Sequence, residues 1–265
     1  MNAMSIERVR PGLGTFVAVR CCAKAPSAAE GALESAFASV AFIERLMHPT
    51  RVGSDLAAIR STGLGHGVRV HPWTWQVLEL SRRLNEVSGG RFDPCLPTAC
   101  GRITDVDLPE PNIVVCRAAV VVDLGGIAKG FAVDQAVASL LAAGCVAGQV
   151  NAGGDLRVFG PEDRPIWIRT STGAWPITLR ERACAVSDPK HSARPSEHQG
   201  YYNRNRSDVE ASPLGTRAAV VVAPTAAVAD ALTKCILLEG AADDRDMLAG
   251  LDAESLTLEA PEPAR

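Results

Sequence analysis

Lys129 stands inside the run Asp123-Leu124-Gly125-Gly126-Ile127-Ala128-Lys129-Gly130, which continues directly into Phe131-Ala132-Val133-Asp134. The run follows apolar residues 118 to 122 and precedes a segment of helical spacing. That order predicts a strand, a glycine turn and the first turn of a helix. Such a turn suits an anion: N–H groups at a helix start lack intrahelical partners, Gly125 and Gly126 let a ligand approach the main chain, and Lys129 adds a positive charge. A second glycine turn, Asn151-Ala152-Gly153-Gly154-Asp155, ends another apolar stretch. Asp230, Thr233 and Lys234 fall at i, i+3 and i+4 and would share one face of a helix. Two glycine turns, a lysine and the carboxylates of Asp123, Asp155 and Asp230 point to a nucleotide or another phosphorylated ligand. Neither familiar phosphate motif fits. Gly125 to Gly130 has P-loop spacing, but Lys129 precedes the final glycine and Phe131-Ala132 stands where Lys and Ser/Thr belong. Neither turn supplies G-x-G-x-x-G. The competing reading is that the glycines serve only tight packing of strand against helix.

These groups need elements to hold them. Arg10-Pro11-Gly12-Leu13-Gly14-Thr15 leads into a predicted strand over 16–22. A helix follows, opened by a Ser27/Glu30 capping box and carrying Leu33, Ala36, Phe37, Val40, Ile43 and Met47 on one face. Residues 48–55 read as a loop, with Ser54 capping a short helix through Ile59. Trp73, Val77, Leu80, Leu84 and Val87 recur at helical spacing before Ser88-Gly89-Gly90, and Arg91-Phe92-Asp93-Pro94 comes next. Residues 97–112 read as a connecting loop. Val133, Val137, Leu140 and Leu141 give the helix after Lys129 its apolar face, and Gly144 closes it. Strands are expected at 146–150, 156–159, 166–170, 177–179, 183–186 and 218–222, and a helix at 225–238 with Val228, Leu232 and Cys235 inward. The strand, helix and strand around Lys129 favour a right-handed crossover, while the later strands look antiparallel. Between them, 187–217 forms a locally basic loop with Lys190, His191, Arg194, His198, Arg204 and Arg206.

Composition narrows the class. The 265 residues carry a net charge of -3 and are 47% hydrophobic, which suits a globular protein with a substantial core and offers no general attraction to nucleic acid. No apolar run is long enough to span a membrane. The segment Met1-Asn2-Ala3-Met4-Ser5-Ile6-Glu7-Arg8 has no basic-then-apolar order, so the expectation is a cytoplasmic protein. The eight cysteines form no C-x-x-C pair and read as buried free thiols of a reducing compartment.

Segments 123–134 and Val150-Asn151-Ala152-Gly153-Gly154-Asp155-Leu156 together resemble the signature of the ApbE family, the FAD:protein FMN transferases. Weaker similarities follow in the family's order: Leu13-Gly14-Thr15, Met47 with Ser54-Asp55-Leu56, Ser88-Gly89-Gly90-Arg91-Phe92-Asp93-Pro94, and Ala229-Asp230-Ala231-Leu232-Thr233. The resemblance implies an α+β, T-fold-like architecture of mixed or antiparallel sheets with packed helices and an FAD cleft between two lobes. It implies one catalytic, FAD-binding domain over 1–258; the last residues, 259–265, read as a frayed tail. It also implies transfer of FMN from FAD to a Thr or Ser hydroxyl of a target flavoprotein, with release of AMP. By position, Leu13, Gly14, Thr15, Ser54, Phe92, Asp93, Asp123, Lys129, Asn151, Ala152, Gly153, Gly154, Asp155 and Ser187 would surround FAD. Lys129 and Asp230 would be catalytic. Magnesium would be held by the carbonyl of Gly126, by Asp230 and by Thr233.

The sequence departs from the family's pattern at four places. Where the family has a metal-binding Thr four residues after the Asp, this chain has Lys234, with Thr233 one position early. Either Thr233 takes over through a shifted turn or Lys234 places its own cation at the metal's position. The family's Ala-Thr-Ser-Gly stretch is Ala185-Val186-Ser187-Asp188, and its later His-containing segment has no counterpart near Tyr201-Tyr202. The linker from Pro94 to Asp123 is shorter than the family's usual one. Two alternatives to transfer therefore stand: a flavin-binding or delivery protein without the chemistry, and a pyrophosphatase releasing FMN and AMP from FAD.

Overall fold

Alternating apolar residues open the chain's main sheet. In a computed structural model that describes residues 4–23, 26–171, 173–188, 217–239 and 244–259, β1 (Met4–Gly12) and β2 (Thr15–Ala23) form an antiparallel hairpin. Val17, Val19, Cys21 and Ala23 of β2 point to the core. β1 is absent from the sequence reading because it is a charged edge strand with Pro11, whose Glu7, Arg8 and Arg10 pair outward with Arg20, Glu30 and Glu34. Helix α1 (Pro26–Leu46) buries Leu33, Ala36, Phe37, Val40 and Ile43, the expected face. The side chain of Ser27, and with it the capping box, lies outside the described residues. Ser54 caps α2 (Asp55–Ser61) by accepting the N–H of Ala57 at 3.1 Å, as its position predicts.

The middle of the chain is more ordered than its composition suggests. β3 (Gly67–Arg69), α3 (Pro72–Val87), a 3₁₀ turn (Ile103–Asp105), β4 (Val106–Asp107) and β5 (Ile113–Cys116) occupy 67–116, and the three strands make a small sheet in the order β3-β5-β4. The predicted loop over 97–112 thus holds a turn and a strand, both too short to carry a period. The expected strand over 118–122 is also corrected: it is extended chain tied down by one bridge, Cys95 to Val122, and by the N–H of Leu96 on the carbonyl of Val121. With no strand before it, α4 (Ala128–Ala142) makes no right-handed crossover.

After α4 come β6 (Ala147–Ala152), β7 (Asp155–Phe159), β8 (Arg164–Thr170), β9 (Gly173–Leu179), β10 (Ala183–Ser187), β11 (Arg217–Ala223), α5 (Ala226–Glu239), α6 (Arg245–Gly250) and β12 (Glu254–Glu259). Seven strands build the main sheet in the order β1-β2-β6-β7-β10-β11-β12, and every recorded pairing is antiparallel rather than mixed. Helices α1, α4 and α5 cover one face. The β8–β9 hairpin packs Ile166, Ile168 and Leu179 against Leu156, Val158, Cys184 and Val220 on the other. The architecture is α+β, with antiparallel sheets and packed helices, as expected. Most of the basic loop, 189–216, and most of the proposed tail lie outside the described residues; Ser187 ends β10, Arg217 begins β11 and Glu259 ends β12.

Two predicted core positions are surface positions. Val87 is 42% and Leu141 51% exposed. α3 turns Val77, Leu78, Ser81 and Leu84 inward instead, and α4, wedged between α1 and α5 above the sheet, is buried on most sides, so its spacing does not mark one face. Six cysteines are buried as expected, Cys100 is exposed and Cys22 half-buried. Burial pushes the thiols of Cys21, Cys184 and Cys235 up to about 12, which keeps them protonated.

Helices α4 and α5 approach closely at Gly130. A methyl group on Gly130 would overlap the backbone carbonyl of Ala226. One turn later Asp134 caps α5 from outside, accepting the N–H groups of Ala226 and Ala227 at 2.9 Å each and Arg157 of β7 at 2.8 Å. Burial raises the carboxyl of Asp134 above its usual range despite these donors. Gly130→Ala is expected to destabilise the fold by about 3 kcal/mol, because neither backbone can yield without separating the helices. Urea unfolding of the two proteins measures this, and equal midpoints would show that the contact carries no such constraint.

Candidate active site

Two hairpin tips and a helix start meet at one cleft. Leu13 and Gly14 form the two-residue turn between β1 and β2 with φ of 56° and 72°; Gly153 and Gly154 form the turn between β6 and β7 with φ of 62° and 104°. Positive φ at both central residues is the hairpin turn whose twist matches its strands. Glycine supplies it freely, whereas Leu13 adopts it at a cost, the kind of backbone strain that gathers at functional sites. Because β2 pairs with β6, the tips lie side by side. A Cβ on Gly153 would sit 2.7 Å from Oγ1 of Thr15, so only glycine fits there. Asn151 Oδ1 accepts the N–H of Gly154 at 3.0 Å and braces the second tip.

The cleft between these tips, the end of α1 and the start of α4 has a volume of about 540 Å³. Its walls include Leu13, Gly14, Thr15, Asp123, Gly125, Lys129, Ala152 and Gly153, all within segments singled out from sequence. Sequence reasoning missed Ile43, Glu44, Met47, His48 and Pro49, which complete the wall where α1 ends. Ile43 and Met47 were legible as the inner face of the helix, Met47 also as part of a family-like segment, while Glu44 near the end of α1 and His48 just after it carry no ligand signal of their own.

Behind Lys129 lies a buried cluster of alternating charge. The ammonium of Lys129 pairs with Asp155 Oδ2, and that of Lys234 pairs with Asp230 Oδ1. Asp155 and Asp230 are almost wholly buried, Lys234 is 6% exposed, and only Lys129 reaches the cleft. Burial pushes Asp155 up, and the charge of Asp230 pushes it further, so its carboxyl stays above the ordinary range despite Lys129 and Lys234. Burial acts on Asp230 as well, but Lys129, Lys234 and the N–H of Gly130 outweigh it and hold that carboxyl below the ordinary range. Asp155 Oδ1 has no hydrogen-bond partner among the described residues.

This cluster changes the reading of the helix start. The N–H of Gly130 donates to Asp230 Oδ2 at 3.2 Å and that of Gly125 to Asp123 Oδ1 at 2.8 Å; Ile127 and Ala128 donate back to the carbonyl of Leu124. The start of α4 does attract an anion, but at Gly130 the anion is the protein's own Asp230. The remaining sequence-derived residues do not line the cleft. Ser54 is spent capping α2, and Phe92 is core. Buried Asp93 accepts the N–H groups of Cys95 at 2.9 Å and Ile103 at 3.2 Å. Ser187 lies beside Thr233, Oγ to Oγ1 2.7 Å, at the Lys234 end of the charge cluster.

Two of the three expected metal ligands, Asp230 and Thr233, do not suit a divalent cation as they stand. Magnesium takes about six oxygen ligands at about 2.1 Å. Asp230 Oδ1 already holds an ammonium and Oδ2 an N–H. Thr233 Oγ1 donates to the carbonyl of Asp230 at 2.7 Å and lies 3.1 Å from Nζ of Lys234. The orphaned oxygen of Asp155 is a single ligand, and no group of three His, Cys, Asp or Glu among the described residues is arranged for a metal. At this position the ammonium of Lys234 lies on Asp230 Oδ1.

Known proteins agree with this architecture. The profile of the ApbE family matches residues 13–101 and 96–256. The fold is similar to that of an ApbE protein from Thermotoga maritima, with a TM-score of 0.78, 20% identity and 97% of each chain covered. A variant of the flavin transferase ApbE from Vibrio cholerae gives 0.81 at 17% identity, covering 98% of this chain and 95% of that one. Flavinyl transferase ApbE from Pseudomonas stutzeri, in its apo form, gives 0.76 at 16% identity, covering 98% and 94%. Direct comparison with curated protein sequences gives no significant match. Among the described residues no helix is long and apolar enough to cross a membrane.

Removing Lys129 leaves Asp155 buried beside a second carboxylate with its nearest counter-charge gone. Lys129→Met is expected to lower unfolding stability by about 3 kcal/mol, read by urea titration. A loss near zero would mean that the pair is solvated rather than part of the wall.

Proposed function

Because the chain belongs to the ApbE family, we propose that it binds FAD in this cleft and transfers the FMN half to a Thr or Ser hydroxyl of a target flavoprotein, releasing AMP. The observation that carries the reading is the convergence of both glycine turns and Lys129 on one cleft of about 540 Å³. That volume falls within the roughly 300–1,000 Å³ of cofactor-sized pockets. The flavin transferase names of the structural relatives from Vibrio cholerae and Pseudomonas stutzeri support the same chemistry.

In this reading Leu13, Gly14, Thr15, Asp123, Ala152 and Gly153 contact FAD. Asn151, Gly154, Asp155, Ser54, Phe92, Asp93 and Ser187 hold the walls from behind. The hydroxyl oxygen of the acceptor attacks the phosphorus of the FMN half, and a new P–O bond forms. The bond from that phosphorus to the bridging oxygen breaks, and AMP leaves with the bridging oxygen while the hydroxyl proton passes to solvent. Little covalent work falls to the protein, which must orient the pyrophosphate and offset the charge on the departing oxygen. Lys129 is the group at the cleft wall able to do the second, pinned by Asp155 so that its ammonium need not reorganise.

Purified protein incubated with FAD and a candidate acceptor, with and without magnesium, is expected to yield covalent flavin on the acceptor and one AMP for each flavin transferred. FMN appearing in solution with the acceptor unlabelled would replace transfer by hydrolysis. FAD binding without AMP would leave a delivery protein. Lys129→Ala, provided it remains folded, is expected to slow AMP release by about 100-fold.

A further inference from the structure

We propose that Lys234 is a built-in cation that occupies the metal position at Asp230, so that this protein binds FAD without a divalent metal. The inference rests on the flavin reading of the cleft and deepens it. Its basis is the complete satisfaction of one buried ammonium. Nζ of Lys234 carries three protons and meets three acceptors: Asp230 Oδ1, Ser187 Oγ at 3.1 Å and Thr233 Oγ1 at 3.1 Å. A divalent ion entering there must displace a fully hydrogen-bonded ammonium from a buried carboxylate. It must also compete for Thr233 Oγ1, whose own proton is committed to the carbonyl of Asp230 at 2.7 Å.

Charge arithmetic points the same way. Asp155 and Asp230 carry two negative charges, and Lys129 and Lys234 carry two positive ones, so the cluster is balanced by its own side chains. Its inner half is permanently anchored: Lys234 sits four residues after Asp230 on α5, where side chains of one helix face meet, and α5 is locked to α4 through Gly130. Lys129 then presents the outer charge to the cleft, while Lys234 acts as a positioning residue that fixes Asp230 and lets Asp230 hold the start of α4. Ser187 and Thr233, side by side at 2.7 Å, complete the ammonium's cradle rather than a metal's.

The test measures binding and not turnover. FAD affinity is measured by flavin fluorescence in EDTA and in excess Mg²⁺, and Mn²⁺ binding by electron paramagnetic resonance without flavin. Expected are equal FAD affinities within about twofold and no Mn²⁺ held at Asp230. An increase of about tenfold or more with Mg²⁺, or one Mn²⁺ per chain that Asp230→Asn abolishes, overturns the inference. These arms use the unaltered protein and survive any failure of a variant to fold. In Lys234→Thr, checked by circular dichroism, removal of the ammonium is expected to bring Mn²⁺ binding and Mg²⁺-dependent FAD affinity; a folded variant that gains neither overturns the claim. If FAD binds in neither buffer, the flavin reading falls, and the Mn²⁺ arm alone decides whether Lys234 holds the metal's place.

Discussion

The approach of α4 to α5 at Gly130 is the constraint on which the site depends. Two helix backbones can come this close only where one residue has no side chain. The contact lets the N–H of Gly130 reach the carboxylate of Asp230, a hundred residues away in sequence, and lets Asp134 satisfy the orphan donors at the start of α5. Lys129 is the neighbour of Gly130, and Lys234 lies one turn beyond Asp230. Their placement therefore follows from the helix crossing and not from any motif that joins them.

Burying four charges is tolerable here because none is left alone. Each carboxylate has its own ammonium, and the second oxygen of Asp230 has an N–H. The balance is uneven, however. Both oxygens of Asp230 have partners and its carboxyl is held below the ordinary range, whereas Asp155 has one oxygen without a partner among the described residues and its carboxyl is held above that range, first by burial. The half of the cluster with every carboxylate oxygen partnered is thus the half away from the cleft, and the other half reaches the cleft through Lys129.

Around this pair the sheet supplies precision. The β2–β6 pairing brings two two-residue hairpin turns together, and the contact of Thr15 with Gly153 leaves no space between them. Leu13, Gly14 and Gly153 then bring backbone of positive φ to the cleft wall, held by strands of the seven-stranded sheet.

By itself the sequence determined the main helices, most strands of the large sheet and both glycine turns, because hydrophobic period and turn chemistry are local properties, while the α+β class followed from the family resemblance. It also marked Asp230, Thr233 and Lys234 as one group, since helical spacing alone places them on one face. It did not reveal β1, an edge strand whose charges hide its period, nor the short strands β3 to β5, nor that residues 118 to 122 lack a strand partner. Only the tertiary structure decided that Gly130 serves a helix crossing, that Asp134 is a cap, and that the cleft extends to Glu44 and His48. It alone paired Lys129 with Asp155 and set Lys234 on Asp230 with Ser187 and Thr233 as co-acceptors. Except for Lys234 with Thr233 and Asp230, these contacts join residues on different elements, and their energies come from burial and distance, which exist only once the elements pack.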